Sequence, residues 1–298
     1  MMQSMETVVY GKWILAGEHA VLRGCPALVF PVFGKSLSVK YMETDESLTV
    51  EYSGENGSEL QLLFWGVMEK ALEKKGFNRS DIRGKFLLTS NVPVGAGLGA
   101  SATLCVGIGR WMQWKGWVSE AELPEFCREL ENLFHGESSG VDIAVAISGS
   151  GLHYERAGTR YAVVPQWIPD WYISYSGKRG VTSECITRVK ALWQQDSALG
   201  ERIDHDMRDA VRMAEQALLA SSETEGFDQL AEALNKARSC FERWGLTNGE
   251  VGQHIQKLLR HGAYAVKPTG SGDGGFVLSL WRRPPPQELR SQLISLSR

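Results

Sequence analysis

Hydrophobic and polar residues alternate cleanly in two early stretches of the chain. In SLSVKYM (residues 36–42) and SLTVEYS (47–53), Leu37, Val39 and Tyr41, then Leu48, Val50 and Tyr52, fall on one face. That is the period-two signature of strands with one buried side. The polar ETDE between them (43–46) predicts a hairpin connection. The period then changes. Over residues 59–76, Leu60, Leu63, Phe64, Val67, Met68, Ala71 and Leu72 recur at helical spacing, and Gly76 offers a stop. GKFLLTSN (84–91) reads as a strand that feeds a glycine-rich turn. ATLCVGIGRWM (102–112) is apolar and long enough for a buried helix. A further helix lies within EFCRELENLFHG (125–136), where Pro124 interrupts the capping box expected from Ser119 to Glu122.

Beyond Val164 the pattern becomes mainly helical. PQWIPDWY (165–172), rich in Pro and Trp, reads as a junction. Helical stripes follow at Met207, Ala210, Val211, Ala214 and Leu218, and at Phe227, Leu230, Leu234, Phe241 and Trp244. A strand pair, AYAVKP (263–268) and FVLSLW (276–281), brackets a second glycine-rich turn. The chain thus reads as α+β with two domains, 1–164 and 165–298, a division that suits 298 residues.

Composition narrows the function classes. Charged residues make up 22% of the chain, and 32 basic against 35 acidic residues give a formal charge of −3 with no basic block. Neither nucleic acid nor an anionic membrane is expected as a partner. The apolar runs are too short to span a bilayer, and MMQSMETVVYGK lacks the pattern of a secretory signal. The five scattered cysteines, none in a CxxC pair, predict reduced buried thiols and a cytoplasmic setting.

Three segments carry candidate chemistry. In NVPVGAGLGASAT, Gly95, Gly97 and Gly99 stand between a strand and a helix. Glycines admit close backbone approach, and the helix start offers spare N–H groups, a combination suited to phosphates. A tight packing turn explains the same glycines equally well, and neither a Walker A ending nor a Rossmann spacing is present. In ELENLFHGESSGVDIAVAISGSG, Asp142 follows a polar turn and Glu131 precedes it by eleven residues. Two carboxylates flanking a loop suit phosphotransfer, one as base and one as Mg²⁺ ligand. Their bland alternatives are a helix cap and a solvated helical glutamate. In KPTGSGDGGFVLSL, glycines at 270, 272, 274 and 275 exceed what a hairpin needs, which favours contact with a ligand. Lys12, Glu18 and His19 add polar groups within the apolar GKWILAGEHAVLRGCPALVFPV.

In this order the segments resemble the GHMP kinases. PVGAGLGAS is similar to that family's phosphate loop and KPTGSGDGG to its C-terminal glycine motif, while HGESSGVD resembles the His-Gly-x-Pro-Ser-Gly-x-Asp of the branch that phosphorylates mevalonate. GEHAV with the nearby Pro26 and Ala27 lies nearest the branch of the family that phosphorylates mevalonate. The likeness runs from Gly11 to Leu280. It implies a ribosomal-S5-like N-terminal domain that binds ATP and a ferredoxin-like C-terminal domain, with the active site in the cleft between them. It also implies Asp142 as catalytic base with Lys12 beside it. Pro93, Gly95, Gly97, Leu98, Gly99, Ala100, Ser101 and Ala102 would form the ATP loop, and Ser101 and Glu131 would hold Mg²⁺. Glu18, His19, Gly270 and Gly272 would face the substrate.

The resemblance implies ATP-dependent phosphorylation of mevalonate in isoprenoid precursor synthesis, with ATP and Mg²⁺ required and a homodimer left open. Three departures bear on it. Ala100 replaces the first Ser of a usual pair, Ser138 replaces a Pro and is expected to loosen the turn before Asp142, and Asp273 places a carboxylate near the expected phosphates. KPTGSGDGG leans towards the version of its motif found in the branch that phosphorylates phosphomevalonate, so a phosphorylated acceptor is the nearest alternative, with Lys178 and Arg179 as candidate cations. A catalytically silent ATP- and metabolite-binding regulator is the alternative of another class. Its expected marks, loss of Asp142, Lys12 or Ser101, are missing.

Overall fold

The computed structural model describes residues 3–135 and 138–297. The chain forms two compact units: one contains the residues up to Lys12, Pro31–Val94 and Leu98–Gly149, and the other Trp13–Phe30, Gly95–Gly97 and the residues from Ser150 on. Two long strands, β1 (Ser4–Ala16) and β2 (Ala27–Ser47), contribute residues to both.

In the first unit, β3 (Thr49–Ser53) is followed by α1 (Gly57–Lys74) and β4 (Arg83–Ser90). The hairpin predicted across residues 43–46 does not form. β4 lies between the two strands, antiparallel to β2 with Tyr41 opposite Phe86, and parallel to β3 with Val50 opposite Phe86. The reason is α1. Its stripe of Leu60, Phe64, Val67, Met68, Ala71 and Leu72 is buried, so the helix packs back on the sheet and makes β3-α1-β4 a crossover between parallel neighbours. Gly76, at φ 76°, ends the helix as expected: its N–H reaches the Glu73 carbonyl and that of Phe77 reaches Leu72.

Next come α2 (Ala100–Trp114), α3 (Leu123–His135) and α4 (Val141–Ser148). α2 is buried on nearly every side, which accounts for its lack of polar periodicity. Trp111 of α2 meets Phe86 at 5.1 Å between ring centres. Pro124 does not disturb α3. The Ser119 N–H donates to Glu122 Oε2 at 2.9 Å and the Glu122 N–H to Ser119 Oγ at 3.3 Å, completing the box. Pro124 then falls in the first turn, where a backbone N–H has no helical partner to lose.

In the second unit, the start of β2 pairs with β5 (Leu152–Tyr154), which pairs with β6 (Arg160–Ala162). There follow β7 (Asp170–Tyr175), α5 (Thr182–Gln195), α6 (Ser197–Leu218), α7 (Glu223–Arg243) and α8 (Glu250–Arg260). β8 (Ala265–Thr269), β9 (Phe276–Trp281), α9 (Gln287–Arg290) and β10 (Ile294–Ser295) complete it. The antiparallel sheet has the order β10-β7-β9-β8. Thr269 pairs with Phe276, so residues 270–275 form the predicted strand connection. The predicted stripes of α6 and α7 are buried, and Trp244 beyond α7 with them. Trp167 and Trp171, within the Pro- and Trp-rich segment, are buried too; Trp171 packs edge-on to Trp13 at 4.7 Å. All five cysteines are buried and free. Among the described residues no helix is long and apolar enough to cross a membrane.

Candidate active site

Two groups of candidate side chains take shape, one in each unit. In the first, Lys12 on β1 and Asp142 in the first turn of α4 meet, with Nζ 3.1 Å from Oδ2. Asp142 is the second residue of α4 and not its cap; Gly140, at φ 80°, holds that place. Backbone positions the lysine. Its N–H donates to the Leu98 carbonyl at 2.9 Å, which ties β1 to the glycine-rich turn. Gly99, at φ 76°, starts α2 and lies against the pair: a Cβ there would come within 2.9 Å of Lys12 Cγ. The Lys12 side chain is nearly inaccessible and that of Asp142 one-fifth exposed, so one carboxylate edge stays open to a ligand.

Glu131 on α3 is 2% exposed, which rules out a solvated helical role. Burial, then the negative charge of Asp142, pushes its pKa up to about 8, against the pull of Ser138 and Lys12. One of its oxygens, Oε2, accepts a hydrogen bond from Ser138 Oγ. Among the described residues the other, Oε1, is buried without a hydrogen-bond partner. Ser138 therefore ties its turn together and does not loosen it. Its hydroxyl also accepts from the Gly140 N–H at 3.0 Å, and its own N–H, which a proline would lack, reaches Asn132 Oδ1 at 2.9 Å. Gly136 and Glu137 of the same motif lie outside the described residues. Ser101 stands in the first turn of α2.

In the second unit Glu18 and Lys267 form a fully buried ion pair at 2.5 Å. Lys267 also approaches the Ile14 carbonyl at 3.4 Å. Thr269 Oγ1 accepts from the Ile14 N–H at 2.8 Å and donates to the Ile14 carbonyl at 3.0 Å. His19 follows at φ 58°, an unusual backbone for a residue with a side chain. Its Nε2–H donates to the Ser271 carbonyl at 2.8 Å, and its ring lies edge-on to Trp244 at 5.2 Å. Burial lowers its pKa to about 4, so the ring is neutral at pH 7. The donation fixes the Nε2–H tautomer and leaves Nδ1 as an acceptor.

The glycine-rich turns differ in what surrounds them. Around residues 270–275 the space is taken by protein: a Cβ on Gly275 would lie 2.7 Å from the Ala96 carbonyl, and one on Gly272 2.9 Å from Phe241 and Leu246. Close packing thus explains part of a composition that the sequence assigns to ligand contact. Beside Gly97 nothing approaches a Cβ position nearer than 3.8 Å, and beside Gly95 nothing nearer than 3.9 Å. The expected phosphate loop is the one with room. The carboxylate of Asp273 meets two cations, Lys178 at 3.2 Å and Arg188 at 3.5 Å.

A family model for the N-terminal domain of GHMP kinases matches residues 63–150, which hold the glycine turn, Glu131 and Asp142. Over those residues the chain is similar to the GHMP kinases. The mevalonate kinase of Thermococcus onnurineus is 29% identical over 296 residues, spanning 90% of this chain and 86% of that protein. The crystal structure of Leishmania major mevalonate kinase in complex with R-mevalonate superposes with a TM-score of 0.78 at 20% identity, over 98% of this chain and 90% of that one. Lactococcus lactis galactokinase complexed with galactose gives 0.74 at 17% identity, over 94% and 86%. The GHMP kinase fold is shared by kinases of different acceptors, so fold alone does not choose among them.

The orphaned Oε1 of Glu131 fits a divalent cation. A buried carboxylate oxygen with no donor is a costly arrangement that a hard cation would relieve. Among the described residues no group of three or more His, Cys, Asp and Glu is placed to hold a metal. Mg²⁺ takes one or two protein oxygens and completes its shell with waters and phosphates. Two contributors escaped the sequence reading. Lys267 could have been found from its place in the otherwise apolar strand AYAVKP, since a buried lysine demands a carboxylate. Ser138 gives no such signal, because only the structure shows what its hydroxyl touches.

Proposed function

We propose that this chain transfers the γ-phosphoryl group of ATP to the hydroxyl of mevalonate, giving 5-phosphomevalonate and ADP. The observation that carries the chemistry is the Lys12–Asp142 pair at 3.1 Å beside Gly99. A relative that spans 90% of this chain is a mevalonate kinase, which favours that acceptor.

Asp142 takes the proton of the acceptor hydroxyl as its oxygen bonds to phosphorus and the bond to the ADP oxygen breaks. Lys12 fixes the carboxylate and stabilises the negative charge that develops on the attacking oxygen. Residues 93–102 cradle the phosphates, with Gly95 and Gly97 giving room for backbone approach and α2 offering its first N–H groups. Ser101 and Glu131 hold Mg²⁺, which would neutralise charge on the transferring phosphates. Glu18, locked by Lys267, and neutral His19 serve acceptor recognition with Gly270 and Gly272. The five buried free thiols suit a cytoplasmic enzyme of isoprenoid precursor synthesis.

An assay of ADP release with mevalonate, phosphomevalonate, galactose and homoserine tests the proposal. Mevalonate should give the highest kcat/KM. Turnover confined to another acceptor would reassign the substrate, and ATP binding without turnover on any would favour a regulator.

A further inference from the structure

We infer that Asp273 sets the acceptor preference of this chain against substrates that already carry a phosphate. This rests on the proposed small-alcohol kinase activity and names a specificity determinant within it. A phosphorylated acceptor needs cationic groups near the substrate-facing residues. The segment best placed to supply them is 176–180, which lies against the β8–β9 connection: the Gly275 N–H donates to the Lys178 carbonyl at 2.7 Å, and the Ser176 N–H to the Gly275 carbonyl at 2.9 Å. The same connection holds His19 through the Ser271 carbonyl at 2.8 Å. Its Gly270 lies near Gly97 of the expected phosphate loop, with 3.5 Å from a Cβ position to the Gly97 carbonyl. Cations on this segment thus stand among the groups expected to meet acceptor and phosphates.

Asp273 occupies one cation of this segment, Lys178, and one of the following α5, Arg188. Lys178 Nζ lies 3.2 Å from Asp273 Oδ1, and Arg188 Nη2 lies 3.5 Å from Oδ2. The lysine and arginine side chains are both 45% exposed, that of Asp273 only 16%. Such half-exposed pairs add little to stability. Asp273 is also an awkward residue for its place. It takes φ 53° in a run of glycines, held by its N–H to the Leu246 carbonyl at 2.8 Å. A glycine would adopt that backbone without strain. What the aspartate adds is charge. It lowers the local potential of both cations and would repel a phosphate dianion brought up to them, a repulsive element of the kind that creates specificity.

The test compares the unaltered protein with Asp273→Asn, since asparagine tolerates the left-handed backbone and carries no charge. Calorimetry would measure binding of R-5-phosphomevalonate, R-mevalonate and a non-hydrolysable ATP analogue to each. Phosphomevalonate should tighten by about tenfold or more in the variant. Mevalonate, a monoanion, should change by a smaller factor, and Lys178→Met added to Asp273→Asn should remove most of the gain. Asp273→Gly, equally suited to the backbone, serves if the asparagine variant is unstable. An unchanged ratio of phosphomevalonate to mevalonate affinity overturns the inference. So does tightening confined to the ATP analogue, which would assign the charge to the nucleotide phosphates. Because these are binding measurements, they stand whether or not the unaltered protein turns over mevalonate; lack of that turnover counts against the proposed function alone.

Discussion

Lys12 Nζ and Asp142 Oδ2 stand 3.1 Å apart across a gap that only a glycine at position 99 leaves open. The pair joins β1 to α4, and a substitution at either end leaves a charge behind. Asp142→Asn keeps the size but cannot accept a proton. Its kcat should fall by roughly 10² or more while ATP affinity changes little. Lys12→Met should also lower kcat, and the double variant should lose less than the product of the two single losses. Steady-state kcat beside ATP affinity decides the matter; near-normal turnover of Asp142→Asn would leave the aspartate a purely structural role.

Gly97 and Gly99 should fail in different ways when replaced. A side chain in the left-handed region costs about 1–2 kcal/mol at either position. Gly99→Ala additionally drives a methyl group onto Lys12, so kcat should suffer most. Gly97→Val meets no protein atom nearer than 3.8 Å at its Cβ, and should weaken ATP binding by occupying space where phosphate oxygens approach. Equal ATP affinity for folded Gly97→Val and the unaltered chain would remove that loop from the nucleotide site.

Ser138 should act through Glu131. Ser138→Ala removes the donor to Oε2 and frees the carboxylate to rotate, so the Mg²⁺ concentration for half-maximal activity should rise several-fold. Ser138→Thr keeps the hydroxyl and should restore most of it. Mn²⁺ binding in the presence of ADP, followed by electron paramagnetic resonance, reads the same effect without turnover. Glu131→Gln and Ser101→Ala should shift both readouts the same way, and an unchanged metal requirement in all three would exclude this metal site.

Acid should destabilise the protein through His19. Burial lowers its pKa from 6.5 to about 4, so between those values the unfolded chain takes up a proton that the folded one refuses. The stability is therefore complete above about pH 6.5 and is lost as pH falls toward 4, by about 3 kcal/mol in total. Urea unfolding at pH 7 and pH 4.5 measures it. The loss should be smaller in His19→Gln; an identical acid response would place its origin elsewhere.

The sequence disclosed the elements whose periodicity is local. α1, α2, α6, α7 and the β8–β9 pair lie where their apolar stripes put them, and Gly76 ends α1 as its position suggests. The partner of β3 was not legible, because alternation tells which face is buried and not which strand lies alongside; α1 made that choice. The surroundings of the glycines were hidden in the same way. Gly97 and Gly275 look alike in a string of letters, yet one has open space beside it and the other the Ala96 carbonyl. Asp142, Lys12 and Glu131 were legible as candidates through motif order. That Glu131 leaves one oxygen without a partner, and that Asp273 spends its charge on Lys178 and Arg188, depends on distances no motif contains.

The bond between Glu18 and Lys267 also sets a timetable for synthesis. Its partners are 249 positions apart, and both are buried. A nascent chain makes Glu18 249 positions before the lysine it needs, which comes only at the middle of β8. Until then that carboxylate must stay in water or be protonated, since burying it unpaired would cost several kcal/mol. The segment bearing Glu18 and His19 is thus translated long before it is able to settle. A chain cut short before Lys267 should leave that segment open to proteases, whereas the helices and strands closed by residue 149 have their local partners within reach.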